Sequence, residues 1–108
     1  QGGQWQGKQV LSADWVKEMS SAQVPCVPAG RNSDALPQLM KNVKKSDWLQ
    51  GYGYQMWRCR HNAYRADGAN GQYILVLPDK DAVIAVTANI PDMQAELNLI
   101  WKYLLPAL

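Results

Sequence analysis

The stretch that decides the fold is Gln72 to Asn89, QYILVLPDKDAVIAVTAN. Two runs rich in Ile, Val and Leu flank the polar segment Pro78 to Asp81, a pattern typical of two antiparallel strands joined by a tight turn. We therefore predict a β-hairpin. Successive side chains of a strand point to opposite faces of the sheet, and in both runs the two sets are apolar. An antiparallel sheet with one solvated face alternates apolar and polar residues, so this hairpin needs cover on both faces.

Two helices are predicted, one before and one after the strands. Ser12 is a suitable N-cap for a first helix over Ala13 to Ala22, and its apolar stripe of Trp15, Val16 and Met19 predicts core packing. A C-terminal helix begins at Asn89 or Asp92, with Pro91 in its first turn and Pro106 at its end. Its apolar side chains repeat at helical spacing: Met93, Leu97, Ile100, Trp101, Leu104 and Leu105. This repeat predicts that the C-terminal helix covers one face of the sheet.

Two further strands are predicted ahead of the hairpin, over Gly51 to Arg58 and Ala63 to Ala66. A glycine-rich turn, Asp67 to Gly71, follows, and its glycines permit positive φ or the close approach of another molecule. Residues 1–11 and 23–49 carry turn-forming residues and are interpreted as loops, apart from a short helix over Leu36 to Val43. The fold class is therefore α+β, an antiparallel sheet of three to four strands with a C-terminal helix packed on one face.

Length and composition point to one globular domain over residues 1–108, with a helix and loops in 1–50 and the sheet and terminal helix in 51–108. The chain is 47% apolar and 19% charged, as in an ordinary folded domain. A net charge of +2 is too small for a nucleic-acid-binding surface, and the basic cluster Arg58, Arg60 and Arg65 is interpreted as a solvated strand end. No apolar run reaches the roughly 20 residues that span a membrane.

Cysteine and histidine are scarce. Cys26 and Cys59 could form one disulfide or remain two buried thiols, and the sequence does not choose between these alternatives. Their spacing matches no zinc pattern, and His61 is the single histidine. We therefore expect neither a metal nor a cofactor.

Local motifs for catalysis are lacking. In a serine hydrolase, the nucleophile often appears in sequence as a serine with a lysine one helical turn later, or as a glycine-flanked elbow serine. No serine of the chain has a lysine three residues later; the five are Ser12, Ser20, Ser21, Ser33 and Ser46. His61 alone is not a dyad, and Asp79 and Asp81 are explained by the hairpin turn. The chain by itself is not predicted to be an active enzyme.

The run GYGYQMWRCRHNAYRADGANGQYILVLPDKDAVIAVTAN, Gly51 to Asn89, with the helix after it, resembles the C-terminal end of β-lactamase-related serine hydrolases. The likeness is closest to the 6-aminohexanoate-dimer hydrolase and esterase branch of the class C β-lactamase and penicillin-binding protein fold. GGQWQGKQVLSADWVKEM, Gly2 to Met19, is similar to the segment that enters a helix after the active-site tyrosine. The resemblance implies a fragment of the β-lactamase/DD-peptidase fold. It also implies that the Ser-x-x-Lys and Tyr-x-Asn motifs lie upstream of Gln1, so that no catalytic residue is in this chain.

In that family a third motif, Lys-Thr-Gly or His-Thr-Gly, lines the active site, and the backbone after it supplies an N–H to the oxyanion hole. The corresponding stretch here departs from both forms, which puts lactam recognition in doubt more than hydrolysis. The resemblance implies that Asp67 and Gly68 match the motif and that Ala69 or Asn70 donates the N–H. Arg65 would meet a substrate carboxylate, or else is a surface charge.

The resemblance also implies partners and a location. The parent would act on a small-molecule or peptide substrate through an ester, amide or peptide bond, and relatives of this type are usually exported to the periplasm or beyond. The alternative is a small non-catalytic binding or assembly domain whose Tyr and Trp residues form a recognition surface. Because one apolar sheet face lacks cover, we also expect a homodimer through the open sheet face or edge.

Overall fold

Antiparallel strands and a C-terminal helical segment form the core of the computed structural model, which describes residues 1–26 and 41–108. The strands are β1 (Gln4–Trp5), β2 (Lys8–Gln9), β3 (Trp57–Arg58), β4 (Tyr64–Gly68), β5 (Gln72–Leu77) and β6 (Ala82–Val86). The helices are α1 (Ala13–Ser20) and α2 (Met93–Leu99). β1 and β2 form a small antiparallel pair, and the main sheet has the order β3-β4-β5-β6, with every neighbour antiparallel.

The predicted hairpin is confirmed. β5 pairs with β6 in antiparallel register, Tyr73 opposite Val86 and Leu77 opposite Ala82. The connection is a 3-10 turn over Pro78–Lys80, followed by Asp81 at φ 47°. Proline suits the first position of such a turn, and aspartate is among the few residues that tolerate the left-handed region. The α+β class and a sheet of four antiparallel strands are therefore as predicted.

The C-terminal helix covers one face of this sheet, as its apolar repeat predicts. Asp92 is the N-cap, accepting a hydrogen bond from the Ala95 N–H at 3.0 Å, so Pro91 precedes the helix instead of lying in its first turn. The helix continues as a π-helical stretch, Ile100–Leu104, and a final 3-10 turn, Leu105–Ala107. The residues buried between helix and sheet are Tyr73, Leu75, Leu77, Leu97, Ile100 and Trp101. We call this covered side the inner face.

The opposite, outer face is open over β5 and β6. Ile74 is 53% exposed and Val83 65% exposed, Ala85 is also exposed, and Val76 is half-buried. These are the residues whose apolar character indicated a need for cover on both faces. Within the described residues, α2 covers the inner face, while the outer face has only partial cover at the end where Trp5 and Val76 line one hollow.

The strand predicted over Gly51 to Arg58 is mostly wrong. Only Trp57–Arg58 is a strand, while Tyr52 makes isolated bridges to Val24 and Trp57. Positive φ angles at Gly51 (114°) and Gln55 (63°) interrupt the extended conformation on both sides of Tyr52. An alternating aromatic pattern does not reveal these angles or the pairing of Tyr52 with Val24, which is distant in sequence.

The first helix is shorter than predicted and packs differently. Ser12 caps it by accepting from the Trp15 N–H at 3.1 Å, as predicted, but the helix ends at Ser20. Trp15 is 43% exposed and stacks on Tyr54 with ring centroids 5.7 Å apart. The predicted core packing of this stripe is therefore wrong, because Trp15 lies against the aromatic segment before β3 and not in the core cluster.

Smaller outcomes concern β4, the N-terminal loop, the predicted short helix and the cysteines. The strand predicted over Ala63 to Ala66 spans Tyr64–Gly68, and the N-terminal loop contains the β1–β2 pair. Residues 41–43 are helical, and residues 36–40 of the predicted short helix lie outside the described residues. Both Cys26 and Cys59 are free thiols. None of the described helices is long and apolar enough to cross a membrane.

Candidate functional site

The five candidate site residues lie along β4 and in the turn that joins it to β5. Arg65 and Asp67 are two residues apart, so both point to the inner face, where Arg65 Nε donates to Asp67 Oδ2 at 2.9 Å. Gly68, Ala69 and Asn70 are exposed, at the turn between β4 and β5. The structure therefore divides the candidates into a buried ion pair and an exposed backbone turn.

The turn holds its backbone in a defined geometry. Asn70 and Gly71 both have positive φ, 65° and 87°, and the Asn70 carbonyl accepts a hydrogen bond from the Ile90 N–H at 3.0 Å. Within residues 1–26 and 41–108, the N–H groups of Ala69 and Asn70 donate no hydrogen bond outside regular strand pairing. Free, fixed N–H groups are what an oxyanion hole requires.

Arg65 is a core residue. Its side chain has no exposed surface, and the guanidinium carbon lies 4.6 Å from the ring centroid of Trp48 and 5.8 Å from that of Trp57. Nη1 donates to the Asp47 carbonyl at 2.9 Å, while Nη2 is buried with no hydrogen-bond partner. As placed here, Arg65 would reach a substrate carboxylate only if Trp48 or Trp57 moved.

The interpretation of Arg58, Arg60 and Arg65 as a solvated strand end is therefore wrong. Arg58 is half-buried and donates to the Ser20 carbonyl at 3.1 Å, and Arg60 forms an ion pair with Asp47 at 3.0 Å. Each guanidinium bonds a group distant in sequence, and such partners cannot be read from a local cluster of charge.

A hollow of about 450 Å³ lies beside the turn. It is lined by Ala66, Asp67, Gly68, Gln72, Tyr73, Ile74, Ala85, Val86 and Thr87. Two candidate residues, Asp67 and Gly68, therefore line the same hollow as Ile74 and Ala85 of the outer face. Its walls are mostly apolar with a few polar groups at one end, the usual character of a small-molecule site.

Asp47 is a central polar residue that the sequence interpretation missed. Its fully buried carboxylate accepts from the Arg60 backbone N–H at 2.9 Å, Gln94 Nε2 at 2.7 Å and Trp101 Nε1 at 2.9 Å, besides the Arg60 guanidinium. Burial alone would raise the pKa of Asp47, but these hydrogen bonds outweigh it and lower that pKa below its ordinary 3.8. One signal was available: a buried Trp needs a partner for its N–H.

Nucleophilic side chains in the described residues are not activated. Ser20 donates to the Val16 carbonyl at 2.8 Å, Ser12 caps α1 and Ser46 accepts from the Trp48 N–H at 3.2 Å. Burial raises the pKa of the Cys59 thiol to about 11, which keeps it protonated near neutral pH. Ser33 lies outside the described residues. The described part of the chain thus offers backbone donors and a shaped wall, without a nucleophile prepared for attack.

The remaining polar groups add no metal site. His61 lies 5.0 Å from the Trp101 ring, centroid to centroid, in a tilted contact. Among the described residues, no group of three or more His, Cys, Asp and Glu side chains is placed to hold a metal ion.

Comparison with known proteins found no match. No family model matches the sequence, and neither a curated protein nor a solved structure matches the chain.

Proposed function

We propose that this chain is the C-terminal segment of a β-lactamase-related serine hydrolase, in which it supplies sheet strands and one wall of the active site. The parent would hydrolyse an ester, amide or peptide bond with a serine located upstream. The observation that carries the proposal is the wall itself: an exposed turn with free N–H groups at Ala69 and Asn70, beside an apolar hollow.

The open outer face supports the same proposal. A domain normally buries its sheet between layers, and here Ile74 and Val83 remain more than half exposed on the side away from α2. In the proposed parent, the helical part that carries the nucleophile packs on this side. That part would also close the hollow beside Gly68 and place the serine near the turn.

The coding sequence upstream of Gln1 provides the first test. We expect it to contain a Ser-x-x-Lys and, nearer to Gln1, a Tyr-x-Asn in the same reading frame. A fluorophosphonate probe should label the product of the full reading frame at the serine of the first motif. Replacing that serine by Ala should abolish labelling.

The 108-residue chain is the matched control for that experiment. Since none of its described serines contacts a base, we expect no covalent labelling of this chain under conditions that label the parent. Labelling of Ser12, Ser20, Ser21 or Ser46 in the short chain would contradict the proposal, and so would an upstream frame without the two motifs.

The exposed outer face also predicts self-association of the 108-residue chain. Burying an apolar side chain such as Ile74 or Val83 contributes about 1.5 to 3 kcal/mol, so the two together favour a dimer. In sedimentation velocity, we expect a monomer–dimer equilibrium that the double substitution Ile74→Lys and Val83→Lys weakens by at least about tenfold.

Leu99→Lys is the control for this measurement, because Leu99 is comparably exposed at 58% but lies on α2. It should leave the equilibrium unchanged. A wild-type chain that sediments as a monomer at high concentration would show that the outer face needs no second copy. Equal effects of the two variants would show that association does not use this face.

A second candidate, a non-catalytic binding domain, is favoured by one observation. Trp15 and Tyr54 stack at the surface, beside a hollow of about 530 Å³ that also contacts Met19 and Met56. Exposed aromatic side chains are common in recognition surfaces. If the upstream frame lacks both motifs, this surface becomes the place to search for a ligand.

A further inference from the structure

The side chain of Glu96 lies behind the turn that joins β4 to β5. Glu96 is on α2 and is 8% exposed, and its Oε2 is buried with no hydrogen-bond partner in the structure. Buried polar atoms nearly always have a partner, so a carboxyl oxygen without one requires an explanation. An ionised carboxylate is the most costly group to leave in this position.

The carboxyl group packs directly on the backbone of the turn. A Cβ placed on Gly71 would lie 2.1 Å from Glu96 Oε2 and 3.1 Å from Ile90 Cγ1. The φ of 87° favours glycine at position 71, and the absence of a Cβ there also leaves room for the Glu96 carboxyl group. The Ile90 N–H holds the Asn70 carbonyl at 3.0 Å, so the turn, Ile90 and Glu96 form one set of contacts.

Glu96 takes part in no ion pair within residues 1–26 and 41–108, and the guanidinium of Arg65 is paired with Asp67. Tyr73 on β5 donates its hydroxyl to the Met93 carbonyl at 3.0 Å, and Asp92, at the start of the helix, caps Ala95. Tyr73, Asp92 and Arg65 thus each have a partner other than Glu96.

These surroundings fix the direction of the proton equilibrium. Burial raises the pKa of Glu96 above its ordinary 4.5. The folded chain therefore binds this proton more tightly than the unfolded chain does. The contribution of Glu96 to the free energy of unfolding is fully present below about pH 4.5 and is lost as the pH rises through the folded-state pKa of Glu96.

We propose that Glu96 is a proton-operated latch for the β4–β5 turn. With its carboxyl group protonated, the side chain packs behind Gly71. On ionisation it releases the proton to water, turns towards solvent and loosens the turn that contains Ala69 and Asn70. The consequence for hydrolysis rests on the proposed function: a looser turn holds the two N–H donors less well, so activity should fall as Glu96 ionises.

Carbon-13 NMR of the 108-residue chain tests the latch directly. The chain has two glutamates, Glu18 and Glu96, so glutamate-specific labelling gives two side-chain carboxyl signals. E96Q identifies the Glu96 signal by its loss. We expect the titration midpoint of Glu96 to lie above 4.5, the ordinary value.

Hydrogen exchange of the Ile90 N–H, which bonds the Asn70 carbonyl, reports whether ionisation of Glu96 loosens the turn. After correction for intrinsic exchange rates, its protection factor in the wild type should be highest below about pH 4.5 and should fall as the pH rises from there to about pH 8. It should be nearly independent of pH in E96Q. E18Q makes the same chemical change on α1 and should retain the wild-type pH dependence.

A Glu96 midpoint at or below 4.5 would overturn the proposal, and this result does not depend on how E96Q folds. The same pH dependence at Ile90 in E96Q and the wild type would also overturn it. Both measurements use the chain without substrate. A failure of the hydrolase proposal therefore leaves them unaffected, whereas a failure of the latch leaves the serine-probe result unaffected.

Discussion

Replacing Asp47 by Asn is expected to lower the free energy of unfolding by about 3 kcal/mol or more, the usual cost of breaking a buried charge pair. Oδ1 accepts from the Arg60 backbone N–H, and Oδ2 accepts from Gln94 Nε2 and Trp101 Nε1. Whichever way the new amide is turned, its NH₂ group faces donors. The half-buried guanidinium of Arg60 also loses its counter-charge.

Urea denaturation followed by tryptophan fluorescence measures this loss. Asp79→Asn is the matched control, because Asp79 is exposed and, in the part of the chain that the structure describes, its side chain accepts a single hydrogen bond, from Asn62 at 3.0 Å. We expect the control to change stability by no more than about 0.5 kcal/mol. Equal effects at the two positions would show that the Asp47 network does not hold the fold together.

The contribution of Asp47 also has a defined dependence on pH. Its folded-state pKa is lowered below 3.8, so the unfolded chain binds this proton more tightly than the folded chain. The stabilisation is therefore present above about pH 3.8 and is lost as the pH falls through the lower, folded-state value. Glu96 acts in the opposite direction, which gives the two carboxyl groups separable effects on stability.

Leu97→Ala is the second substitution with a large expected effect. Leu97 is fully buried on α2, in the cluster that includes Leu75 and Trp101. Removing three carbon atoms there loses apolar burial and leaves a cavity, which together cost about 2 to 5 kcal/mol. The midpoint of urea denaturation should fall accordingly.

Leu99→Ala supplies the control two residues further along the same helix. Leu99 is mostly exposed, so the same chemical change should alter stability by no more than about 0.5 kcal/mol. A comparable loss in both variants would show that α2 does not bury the face that contains Leu97. It would also remove the basis for assigning an inner and an outer face to the sheet.

The local elements of this fold were largely readable from the residues. Two apolar runs around Pro78 to Asp81 predicted the hairpin, Ser12 predicted the start of the first helix, and Asp92 was one of two predicted caps for the second. These signals lie within a few residues of the structure they specify. The failed strand over Gly51 to Arg58 is the exception, because its conformation depends on a contact with Val24.

The candidate site was less predictable. The sequence indicated the stretch from Arg65 to Asn70 but not that Arg65 would be buried between Trp48 and Trp57 while the turn stayed exposed. Side-chain alternation places Arg65 and Asp67 on one face. It does not say which face a helix will cover, since both faces of the hairpin are apolar.

The sequence by itself determined the hairpin, the terminal helix and the need to cover two apolar sheet faces, because these follow from periodicity and turn chemistry over short distances. Only the tertiary structure decided which face α2 covers, that Asp47 bonds Arg60, Gln94 and Trp101, and that Glu96 packs on Gly71. Those contacts join residues 13 to 54 positions apart, or 25 in the case of Glu96. A buried carboxyl group acquires its role from partners that the chain brings near only when it folds.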